Sequence, residues 1–197
     1  MSFLSATQYE TINVQSGAGS ALLGNASAGT STVISKNPGG AAFLPANFFA
    51  PGAGTTKGIR VTARGVFSTT ATPQTLAALG VYANTTQGTS GTALGPLGVS
   101  TVSIASATNW WWTYELDIAC TATGSSGTWL GMGLASFATA VNTSALAPNW
   151  YSAGSTTAVS LSTESAYFLE MAATWTNAST SATSSIQCVS YCVYGIN

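Results

Sequence analysis

From Phe43 onward, apolar and polar residues alternate with a period of two, in runs separated by Gly, Ser, Thr, Pro and Asn. This is the signature of half-buried β-strands. In residues 57–68, Ile59, Val61 and Ala63 interleave with Arg60, Thr62 and Arg64. Successive side chains of a strand point to opposite sides, so one face is core and the other polar. The clearest strand sets Trp112, Tyr114, Leu116, Ile118 and Cys120 against Thr113, Glu115, Asp117, Ala119 and Thr121. Further runs fall at 76–82, 99–104, 128–137, 157–161, 166–176 and 185–196, with GSSG, PNWYSAG and TNASTSATS as the turns and loops between them. Helix formers are scarce, and residues 74–79 are the one stretch that reads as a helical turn. No amphipathic crossover of roughly ten residues lies between strands, which removes the parallel βαβ alternative. The pattern predicts an all-β, antiparallel β-sandwich over residues 41–197.

Residues 1–40 break this rhythm. They are rich in Gly, Ala, Ser and Thr, with short β-like runs only at 10–14 and 31–35. Such a segment has little core of its own and is expected to be an extended N-terminal arm, ordered by lying across another surface.

Composition narrows what this domain does. Only 5% of the 197 residues are charged and none is histidine, whereas an ordinary soluble domain carries about 25% charge. A surface this poor in charge suits a component covered by neighbouring protein better than a freely diffusing enzyme. The net charge of −1 offers no attraction to nucleic acid. No apolar run approaches the roughly 20 residues that span a bilayer, and the N-terminus lacks the basic and apolar regions of a secretory signal. Neither nucleic acid nor membrane is an expected partner, and the expected site of synthesis is a cytoplasm. The three cysteines form no zinc-binding set. Cys188 and Cys192 sit roughly 13 Å apart along one strand at about 3.3 Å per residue, too far to bridge, while Cys120 pairs with either only if their strands are neighbours. Small thiols in a reducing compartment are the simpler expectation.

Without histidine, Ser-His and Cys-His nucleophile pairs are impossible, and carboxylates are the remaining enzymatic option. Glu115 and Asp117 share a strand face as a glycosidase pair would. Cross-strand pairing with Arg60 or Arg64 is the simpler role for them. The segment PGAGTTKG lacks the Ser or Thr and the helix that a phosphate loop needs after its lysine. No catalytic, cofactor-binding or metal-binding residues are expected. The basic residues Lys36, Lys57, Arg60 and Arg64 all lie in one third of the chain. With Glu115 and Asp117 they are candidate interface residues, each able to position a partner. Among the aromatics, Trp111 alternates out of the Trp110–Trp112 triplet, and Trp150 and Tyr151 follow Pro148 in a loop-like stretch; all three are candidate contacts.

The blocks FLPANFFAPG, KGIRVTARGVFSTTATPQTLAALGVY, WWWTYELDIACTATGSSGTWLGMGLASF and FLEMAATWTNASTSATSSIQCVSYCVYGIN, taken in order, resemble virion structural proteins of tailed bacteriophages. These are small, often jelly-roll, β-sandwiches that serve as head decoration, head fibre or minor tail components. The resemblance covers residues 43–197 and carries no catalytic signature. It implies a trimeric knob or cap on a virion and leaves the attachment site open; the leading expectation is a homotrimer on the capsid surface, bound to the major capsid protein lattice. The alternative it leaves open is a tail-tip or fibre module that binds host glycans.

Overall fold

The computed structural model describes residues 9–14, 22–23, 31–35, 42–50, 57–71, 75–96, 104–138, 149–154, 157–176 and 184–196. Among them the regular elements are strands: β1 (Tyr9–Val14), β2 (Leu22–Leu23), β3 (Thr32–Val33), β4 (Ala42–Leu44), β5 (Gly58–Ser68), β6 (Leu76–Asn84), β7 (Thr92–Pro96), β8 (Trp110–Ala122), β9 (Thr128–Phe137), β10 (Asn149–Gly154), β11 (Val159–Ser160), β12 (Tyr167–Trp175) and β13 (Ser185–Ile196). They form two antiparallel sheets packed face to face, the expected β-sandwich. The large sheet runs β1-β13-β5-β8-β9-β10, with β2 beside β13 and β11 beside β9. The small sheet runs β3-β12-β6-β7, with β4 also on β12. Five of the pairings are nested in sequence: β1 with β13, β3 and β4 with β12, β5 with β8, and β6 with β7. A single long hairpin rolled upon itself has this order.

The alternation read from the sequence is what fills the space between the sheets. Ile59, Val61, Ala63 and Phe67 of β5 face Leu79 and Val81 of β6 and Leu169, Met171 and Ala173 of β12 across one shared core. Trp112 is fully buried, and Gly65 opposite it on β5 makes the room: a Cβ there would sit 2.6 Å from the indole. Phe49 of the FLPANFFAPG block meets Trp129 edge to face at 4.8 Å, and Trp129 meets Tyr167 at 5.5 Å, which closes one end of the core. In β13 an irregularity between Cys188 and Ser190 lets Val189 protrude, and the inward set changes from Ile186 and Cys188 to Tyr191 and Val193.

Four expectations change. Residues 76–79, expected within a helical turn, are the start of strand β6, because pairing with β12 along Leu76–Asn84 outweighs weak local helix propensity. Trp150 and Tyr151 lie in β10, which pairs with β9 along its whole length, and not in a loop. Cys120 is not beside the other cysteines: β5 separates β8 from β13, and none of the three thiols is in a disulfide. The described parts of residues 1–40 lie against their own chain, where β1, β2 and β3 satisfy the edges of β13 and β12 and place Leu22 and Ile34 in the core. The run expected at 99–104 falls, except for Ile104, outside the described residues.

Candidate functional site

The outward positions of β5, β8 and β9 bring four of the predicted charges onto one surface, the outer face of the large sheet. Register sets Arg60 opposite Asp117, Thr62 opposite Glu115 and Arg64 opposite Thr113. Arg60 donates through Nε and Nη2 to the two carboxylate oxygens of Asp117, each at 2.7 Å. This forked geometry is the strong form of an Arg–carboxylate contact, although both side chains are about half exposed and water screens them. Each Asp117 oxygen thus accepts one hydrogen bond from Arg60, whereas no ion pair to a described residue engages Glu115. Arg64 and Glu115 are exposed, and no ion pair joins either of them to another described residue.

Strand β9 completes the surface and inverts the usual polarity of a strand. Its inward positions between Trp129 and Phe137 are Gly131, Gly133 and Ala135; its outward ones are Leu130, Met132, Leu134 and, buried beside Thr113, Ser136. The inner side is tight because β7 crosses it: a Cβ on Gly131 would fall 2.2 Å from the carbonyl of Leu94. The large side chains are therefore on the outer side, where Met132 is 62% and Leu134 53% exposed. Cross-strand neighbours put Met132 beside Asp117 and Leu134 beside Glu115. Together with Arg60 they line an open hollow of about 240 Å³. It is too shallow to enclose a small ligand and has the shape to seat a side chain from an apposed surface.

No protein-family model, no curated protein and no solved structure matches the chain.

The other predicted residues are distributed as follows. Trp111 is exposed on the same outer face, one pair beyond Thr113, whereas Trp112 is core and Trp110 packs edge to face on Phe67. Lys57 stands away from the sheet face, its ammonium 5.2 Å from the Phe48 ring centre. Lys36 lies outside the described residues, as do the side chains of Trp150 and Tyr151. Among the described residues no cluster of three metal-ligating side chains occurs. Sequence reasoning missed Met132 and Leu134. Their signal was present in LGMGL, where glycine alternates with a large apolar residue.

Proposed function

We propose that this chain is a non-enzymatic virion structural protein of a tailed bacteriophage, one that decorates and stabilises the outer face of the capsid as a homotrimer. The observation that carries this reading is the inverted strand β9, which holds Met132 and Leu134 in water on an otherwise charge-poor protein. Exposed apolar area beside a paired ion is favourable once a neighbour covers it. The nested strand order supports reading the sandwich as a jelly roll, an architecture used by viral capsid proteins. The mechanism is mass action: a protein that binds only the assembled shell stabilises it by an amount set by affinity and occupancy, about 2.7 kcal/mol per site at a concentration one hundred times Kd. Imaging of intact particles tests the proposal. Many copies spread over the head are expected; absence from the particle would overturn it.

A second reading is a tail or fibre module that binds host glycans. Phe43 favours it: the ring is 48% exposed on the outer side of the small sheet and packs 5.4 Å from Phe168, as a platform for a sugar face would. A few copies at one end of the particle, together with glycan binding lost in Phe43→Ala, is the expected result.

A further inference from the structure

We infer that the outer face of the large sheet docks against the same face of a second copy of this chain, about a two-fold axis. The inference rests on the reading of this face as an assembly surface and names its partner.

The charges select the occupant. Among the described residues two cations and two anions share this face, and one of each is already engaged in the Arg60–Asp117 fork. What is left is one cation, Arg64, and one anion, Glu115. Arg64 stands opposite Thr113, and Glu115 is two residues further along the same strand, so the two are diagonal neighbours of opposite sign. A surface that sets one cation beside one anion is complementary to a second copy of itself. Turned over about an axis passing between the two residues, Arg64 of each copy lies over Glu115 of the other, and the pair forms twice. This is the isologous condition, in which residue i meets residue j and j meets i. The apolar component satisfies the same condition. Met132 and Leu134 of both copies are brought under cover, next to ions that are already paired and therefore need no new partner when water leaves. Two copies close such a contact, so it is separate from the contact within a trimer and serves equally to join single chains or neighbouring trimers.

The test is the molar mass of the purified full-length chain across a concentration series, by light scattering and sedimentation, for four proteins: wild type, Arg64→Glu, Glu115→Arg and the double reversal. The wild type is expected to show twofold mass steps on concentration. Because each ion pair occurs twice, either single reversal should weaken association by about a hundredfold if each pair contributes about tenfold, and the double reversal should restore it. Restoration is specific to a face that meets itself. Reversals at exposed positions should leave the unfolding transition in place, which separates lost association from lost folding. A wild type of constant mass, or single reversals that associate as the wild type does, would overturn the inference. Particle imaging with the same variants keeps the two proposals apart: self-association without incorporation sinks the virion reading alone, and incorporation without self-association sinks this one alone.

Discussion

The two sheets treat their outer faces in opposite ways. On the small sheet, β12 is buried on both sides. Its odd-numbered residues enter the core, and on the other side Glu170 is 1% exposed, with Ala172 and Thr174 buried beside it. The chain itself supplies the cover and the partners. The loop after β6 turns back so that the Gly88 amide donates to both oxygens of Glu170, at 2.9 and 3.1 Å, and the positive φ of 79° at Gly88 makes that turn possible. Ser31 shares a hydrogen bond of 2.8 Å with Thr174 and donates to Tyr82, and Ser90 in turn donates to the Ser31 carbonyl. On the large sheet the corresponding face shows Met132, Leu134, Trp111 and the Arg60–Asp117 fork to solvent. Away from the exposed Phe43 on β4, the small sheet carries a buried polar face with its own covering, and the large sheet an apolar face without one among the described residues. The difference places intramolecular polar contacts on one side of the sandwich and leaves the other side open to the assembly proposed for it.

The largest expected effect belongs to the core that both sheets share. Burial raises the Cys188 thiol from 9.0 to about 12 and pushes the Tyr114 and Tyr191 phenols up as well. The folded state then holds protons that the unfolded chain releases, so this contribution is intact below about pH 9 and is lost as pH rises from 9 toward 12. Denaturant midpoints should fall steeply over that window, equally in the wild type and in variants of either outer face. Next in size is the closed face. Glu170→Ala removes the acceptor of the Gly88 amide and should cost about 1–3 kcal/mol in unfolding free energy, with faster amide exchange at Gly88. Opening that face by mutation should not alter self-association; if it does, the division between the faces is wrong.

Much of this was legible from alternation. The inward set of β5 and β8 could be read directly, because Ile59, Val61, Trp112, Tyr114 and Leu116 are large wherever the strand is covered. The cross-strand match of Arg60 with Asp117 was legible as one of a few options. Strand β9 was not, because its inner face is limited by the approach of β7 at Leu94, a contact between distant parts of the chain that leaves no local mark. Strand β6 was part-hidden for a similar reason: LAALG has helical propensity, and only its partner β12 decides otherwise. The burial of Glu170 left no local mark either, because the Gly88 amide that meets it comes from 82 residues away in the chain.

The open face predicts small stability effects. Asp117→Asn should cost less than about 1 kcal/mol, the range of an exposed ion pair, and the difference should shrink in high salt. Met132→Lys and Leu134→Lys should change stability by no more than about 0.5 kcal/mol while abolishing self-association, since neither side chain is in the core. An equally small loss at Glu170 would erase the contrast between the two sides.

Oxidation footprinting of Met132 tests the central claim most directly. In the dilute, unassociated protein Met132 should oxidise rapidly and the fully buried Met171 should not. In the associated protein Met132 should become protected while Met171 stays unreactive. Equal oxidation of Met132 in both states would contradict the assignment of this face to assembly.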